Sequence, residues 1–236
     1  MGTLTLGRLA HFGRKAISLT FRPFLKNSSA GERMGKKVMI LDYGMGNLRS
    51  VFNAVKEVGG EPLLVTSPDQ LEGGKGLIIP GVGAFGKGME RLAPFEGVIR
   101  EMAGEGLPLL GICLGMQVMF EGSEEAEGKK GLGLLKGRVE RIPTRERLPH
   151  MGWNYVKKIR DSPLFKGLEG GYAYFVHSYH PVPSEREEVV ATADYGTEVC
   201  AAVWKDNLFG TQFHPEKSGP FGLRILKNFL EVLDAL

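Results

Sequence analysis

Short apolar runs recur through the first half of the chain, each closed by glycine or a small polar residue. Residues 38–42, 62–66, 76–80 and 107–113 read as strands, and the last has the continuous apolar character of a strand covered on both faces. Between them, residues 47–58 and 91–103 carry helical spacing, and a further helix is expected over 115–122. Strands alternating with helices in this rhythm predict a parallel α/β sheet. Beyond Gly128 the pattern shortens into strands expected at 133–142, 154–159, 172–178, 189–193 and 199–204, with a hairpin closing on 208–213. Residues 221–236 form an amphipathic pattern whose Leu223, Leu226, Leu230 and Leu233 share one helical face and are expected to pack on the core. The first 33 residues have no such periodicity. They are expected to be a basic leader, either a disordered tail or a mis-assigned start with Met34 as the sensible beginning, with an organelle transit peptide as the alternative, ahead of one domain over 34–236.

Charge changes the picture only at that leader. The 236 residues carry a net +3, but residues 1–33 alone hold +5, which leaves the body at −2. Nothing there argues for nucleic acid. No apolar run is long enough to span a bilayer, so no membrane association is expected. Two well-separated cysteines make neither a disulfide framework nor a metal cluster, and a reducing cytoplasm fits them best. No metal and no cofactor is expected.

Candidate chemistry centres on Gly111-Ile112-Cys113-Leu114-Gly115. Small residues two positions either side of a nucleophile allow a strained turn between strand and helix, with cysteine here in place of serine. A thiol at a helix N-terminus meets backbone N–H groups that favour the thiolate, the reactive form. By itself the motif also fits a small buried hydrophobe. Two glycine motifs are set aside. Gly44-Met45-Gly46 lacks the third glycine of a dinucleotide site, and the near P-loop from Gly81 to Lys87 ends in Gly88 where magnesium needs a hydroxyl. At the end of a strand that second loop can instead turn N–H groups toward a neighbouring nucleophile, as an oxyanion hole does. Of five histidines, His214 is singled out because Glu216 follows two residues later. On an extended segment the two side chains share a face, so the carboxylate can orient one ring nitrogen while the other meets Cys113.

Gly111-Ile112-Cys113-Leu114-Gly115-Met116-Gln117 with a later His214-Pro215-Glu216 resembles the class I glutamine amidotransferases. The stretches Asp42 to Asn47, Pro80 to Phe85, His150 to Asn154, Tyr174 to Tyr179 and Gln212 to Ser218 narrow the likeness to the glutaminase subunits of imidazole glycerol phosphate synthase. The resemblance covers 34–236. It implies the flavodoxin-like fold of that class: a mostly parallel central sheet flanked by helices, with a smaller antiparallel part in the C-terminal half. It implies a Cys113, His214, Glu216 triad acting on glutamine, with oxyanion donors at Leu114 and near Val82 and Gly83. Gln117, His177, Ser178 and Tyr179 would line the substrate pocket. Asn47, Trp153, Tyr174 and Lys217 would face a TIM-barrel cyclase that completes a heterodimer and receives the ammonia. An amidotransferase component of the anthranilate or aminodeoxychorismate type is the alternative.

Overall fold

The computed structural model describes residues 36–71 and 73–234. The leader and the end of the C-terminal helix expected to reach 236 lie outside the described residues.

Alternation along the first strand decides how the sheet is covered. β1 (Lys36–Leu41) sends Val38 and Ile40 to one face and Met39 and Leu41 to the other, and all four are buried. A strand apolar on both faces requires a layer on each side, and the following helices supply them. α1 (Leu48–Glu57) is opened by Asn47, whose side chain accepts the Ser50 N–H at 3.3 Å, and buries Val51, Ala54 and Val55. The chain returns as β2 (Gly60–Val65), parallel to β1.

β3 (Leu77–Ile79) leads through α2 (Phe85–Leu92) and α3 (Glu96–Gly104) to β4 (Leu109–Ile112), whose C-terminal end carries the short α4 (Leu114–Gln117). The single helix expected over 91–103 is two, and part of the supposed glycine loop is α2. Pro94 lacks an amide hydrogen and disfavours helix at the residue before it, so a 3-10 turn over Ala93–Phe95 breaks the run. The helix expected over 115–122 also stops early. The carbonyls of Val118, Met119 and Phe120 accept N–H groups from Leu132, Leu134, Leu135 and Gly133 rather than from a continuing helix.

The remaining strands are β5 (Gly122–Ser123), β6 (Gly137–Arg141), β7 (His150–Lys158), β8 (Gly170–His177), β9 (Tyr179–Pro183), β10 (Val189–Asp194), β11 (Glu198–Lys205) and β12 (Leu208–Thr211), closed by α5 (Gly219–Asp234). One nine-stranded sheet has the order β2-β1-β3-β4-β12-β11-β10-β7-β8. Pairings from β2 to β12 are parallel and those from β12 to β8 antiparallel, so the sheet is mixed. A second sheet has the order β5-β6-β9. β9 is absent from the sequence-based expectation; its Pro181 and Pro183 lack amide donors and are tolerated because β9 is an edge.

α5 packs Ile225, Leu226, Phe229, Leu230 and Leu233 into the α1 side of the core, while Leu223 is half-buried against it. Each such buried side chain contributes about 1.5–3 kcal/mol. The opposite face is covered by Phe85, Leu92, Phe95 and Ile99 of the α2–α3 segment together with Phe120 and Val139. No helix among the described residues is long and apolar enough to cross a membrane.

Candidate active site

β4 and β12 run side by side and end together, so residues just beyond their C-terminal ends meet. Cys113 leaves β4 with its N–H held by the Thr211 carbonyl at 2.7 Å, and its backbone sits at φ 55°, ψ −110°. That conformation turns the chain at once into α4. Both flanking glycines are demanded by space. A β-carbon on Gly111 would stand 2.6 Å from the Met116 backbone, and one on Gly115 would overlap the Ile79 carbonyl oxygen. Because α4 has only four residues, first-turn N–H groups rather than a long helix dipole act at Cys113.

His214 follows β12. Its N–H donates to the Tyr174 carbonyl at 2.9 Å, and its own carbonyl accepts the Ser218 hydroxyl at 2.6 Å. Residues Pro215–Lys217 form a 3-10 turn, not the extended segment expected from sequence. The turn folds Glu216 back so that its Oε1 lies 2.9 Å from His214 Nδ1, with both side chains only 2% exposed. Nε2 is buried without a hydrogen-bond partner. Burial alone would lower the His214 pKa, but interaction with Cys113 and Glu216 outweighs it and raises the value to about 9.

Gln212 has no role in the sequence-based expectation, although it opens the motif that runs to Ser218. Fully buried, it donates from Nε2 to Cys113 Sγ at 3.6 Å. Gln117 in turn donates from Nε2 to Gln212 Oε1 at 3.1 Å and to the Tyr179 carbonyl at 2.9 Å. No local signal marks Gln212, because its partners lie across the sheet.

The glycine loop after β3 approaches as expected, with one difference. The Leu114 N–H donates to the Gly81 carbonyl at 3.3 Å, so a loop carbonyl occupies the first expected oxyanion donor. Val82 and Gly83 are exposed at the loop's tip.

His177, Ser178 and Tyr179 lie at the seam where the chain passes from β8 into β9. Ser178 and Tyr179 are half-buried there, while both ring nitrogens of His177 are engaged by the protein. A polar chain runs Asn154 Nδ2 to His150 Nε2 (3.1 Å), His150 Nδ1 to His177 Nε2 (3.0 Å), and His177 Nδ1 to the Tyr179 carbonyl (2.8 Å). Since that carbonyl only accepts, each histidine is assigned as its Nδ1–H neutral tautomer. His150 is stacked between Phe175 and Tyr195, with ring centroids 4.6 and 4.1 Å away. Burial lowers the pKa of His150 to about 4, of His177 to about 3 and of His180 to about 4. Depressed folded-state values mean stability that is present above the unfolded value of about 6.5 and lost as pH falls toward 3–4. The urea midpoint should therefore drop steadily between pH 7 and pH 4; a flat midpoint would refute the neutral relay.

Of the four expected partner-facing residues, three meet. The Tyr174 ring lies 6.4 Å edge-on from Trp153 and 5.7 Å from Lys217 Nζ. Trp153 is 59% exposed, beside the exposed Met151 on β7. Asn47, at the start of α1, is exposed and serves as its cap.

A family model described as glutamine amidotransferase class-I matches residues 39–233. The chain is 47% identical over 214 residues to the imidazole glycerol phosphate synthase subunit HisH of Halobacterium salinarum, covering 88% of this chain and 98% of that one. It is 49% identical over 201 residues to the HisH subunit of Methanothermobacter thermautotrophicus, covering 84% and 100%. Among solved structures, PurLQS from Thermotoga maritima superposes with TM-score 0.68 at 23% identity, covering 85% of this chain and 100% of that one. A glutamine amidotransferase from the same organism superposes at 0.56 with 19% identity, covering 84% and 82%. Those two likenesses speak to the fold. With the family match running through both the cysteine turn and the histidine turn, this chain belongs to the class I glutamine amidotransferases.

Proposed function

We propose that this chain is the glutaminase subunit of an imidazole glycerol phosphate synthase, working in the cytoplasm as a heterodimer with a TIM-barrel cyclase in histidine biosynthesis. Identity of 47% and 49% across nearly the whole length of two subunits of that name supports the assignment. The observation that carries the chemistry is a cysteine on a strained turn beside a buried His214–Glu216 pair.

Cys113 Sγ attacks the side-chain carboxamide carbon of glutamine with its proton already held on His214 Nε2, since the raised pKa of about 9 keeps that ring an imidazolium at neutral pH. Collapse of the tetrahedral adduct breaks the carbon–nitrogen bond. His214 passes its proton to the departing ammonia, which leaves a glutamyl thioester. Water deprotonated by the same Nε2 then releases glutamate, frees the cysteine sulfur and leaves His214 protonated as at the start. Glu216 holds Nδ1 protonated and the ring oriented throughout. Leu114 and the Val82–Gly83 segment supply the oxyanion N–H groups, each worth roughly 3–4 kcal/mol to the transition state. Gln117, Ser178 and Tyr179 shape the glutamine pocket, with His177 behind Tyr179.

The Gly81 carbonyl on the Leu114 N–H makes this a resting arrangement. The cyclase, docking across Asn47, Trp153, Tyr174 and Lys217, favours the state in which that carbonyl has moved away, and ammonia then travels to the partner through a closed channel. Glutamate release should be near background for the isolated chain and rise strongly with a cyclase carrying its nucleotide ligand. Full turnover without the cyclase would overturn the coupling, and no glutamate under either condition would overturn the glutaminase assignment.

A further inference from the structure

Tyr43 follows β1 as the glycine loop follows β3, both beyond the C-terminal ends of neighbouring parallel strands. It is 5% exposed, and its hydroxyl has no hydrogen-bond partner. The hydroxyl rests directly against Gly81, because a β-carbon on Gly81 would collide with it. The same small space is bounded by Leu114 Cβ, 3.0 Å from that position, and by the Gly115 nitrogen at 3.1 Å. Tyr43, Gly81 and the start of α4 thus form one cluster under the oxyanion loop. Burial and the nearby Cys113 push the phenol pKa upward, so the hydroxyl remains a neutral donor.

A buried donor without an acceptor costs free energy and calls for a reason. The reason lies in the bond beside it. The Leu114 N–H cannot serve both the Gly81 carbonyl and a substrate oxyanion. When the carbonyl yields the N–H to substrate, it becomes a buried acceptor in need of a donor. Among the described residues, the unpartnered buried side-chain groups are few, and Tyr43 is the one that abuts Gly81.

We propose that Tyr43 is a positioning residue of the oxyanion loop, its hydroxyl taking over the Gly81 carbonyl when that carbonyl releases the Leu114 N–H. Tyr43 is then idle in the resting arrangement and engaged in the active one, which biases the loop toward activity without touching substrate. The inference rests on the glutaminase reading above.

The test is Tyr43→Phe, which keeps the ring and removes only the hydroxyl. In the complex with liganded cyclase, kcat for glutamine hydrolysis should fall about tenfold with KM little changed, the signature of an interaction made only in the active state. The thermal midpoint of the free chain should hold or rise, since an unsatisfied hydroxyl has been removed. Iodoacetamide should alkylate Cys113 at the wild-type rate across pH. The other cysteine does not interfere, because Cys200 is buried with its pKa pushed up to about 12. Unchanged kcat overturns the proposal. So does a lower kcat accompanied by a lower thermal midpoint, which would make the hydroxyl a structural prop, or by slower alkylation, which would place its action on the thiol. A wild-type complex that releases no glutamate overturns the glutaminase reading instead, and this inference with it.

Discussion

Cys113→Ala should lose glutamine hydrolysis by about 10⁴-fold or more while remaining folded, because the covalent step has no other nucleophile. The same position carries a second expectation that separates chemistry from architecture. Its φ of 55° and ψ of −110° suit glycine, and among the described residues Asp206 is the only other non-glycine residue with positive φ. Holding a side chain there costs on the order of 1–3 kcal/mol. Cys113→Gly should therefore be as inactive as Cys113→Ala but more stable than it by about 1 kcal/mol or more, as glycine meets no steric penalty in this region. Glutamate release by the complex and urea unfolding of both variants measure the two halves. Residual activity in either variant would remove Cys113 from the chemistry. A glycine variant less stable than the alanine one would remove the strain.

Glu216→Gln should lower kcat by about 10³–10⁴ with little change in KM, since an amide of the same shape can hold His214 in the wrong tautomer and cannot balance an imidazolium. The 2.9 Å contact of Glu216 with Nδ1, at a site almost closed to water, gives that loss its size. It also has a pH signature. In the wild type the His214 pKa is raised to about 9, so its stabilising contribution is complete below the unfolded value of about 6.5 and disappears as pH climbs through 9. The variant starts less stable at neutral pH and declines less steeply than the wild type between pH 7 and pH 10, because the contribution of Cys113 to the raised value remains. Urea midpoints across that range, with kcat measured alongside, decide the matter. Wild-type kcat, or an alkaline decline as steep as the wild type's, would show that Glu216 neither orients nor charges His214.

The triad residues can be found in the sequence because two short motifs carry them. The reason they meet cannot be read there. Glu216 reaches His214 through a 3-10 turn rather than along an extended segment, and the proline between them suits that turn's first position as well as it suits an extended chain. Likewise the glycines around Cys113 announce a tight turn, but the Ile79 carbonyl that excludes a β-carbon at Gly115 belongs to another strand.

Local pattern suffices where the physics is local. The apolar run of β1, the helical face of α5 and the steric punctuation of glycine are set by neighbours in sequence, so the strand–helix alternation and the class of fold follow from the chain alone. Pro94 is equally visible, and it breaks a helix that apolar spacing alone would carry through from Arg91. Non-local pairing was decided only in the tertiary structure. β9 is a strand because β6 accepts it at an edge, and α4 stops because residues 131–135 capture the carbonyls that would have continued it. The same holds for Gln212 beside Cys113, for the His150–His177 relay and for the Gly81 carbonyl on the Leu114 N–H. Each is a hydrogen bond between groups far apart in sequence, and no spacing along the chain encodes a partner that only the packed sheet brings within reach.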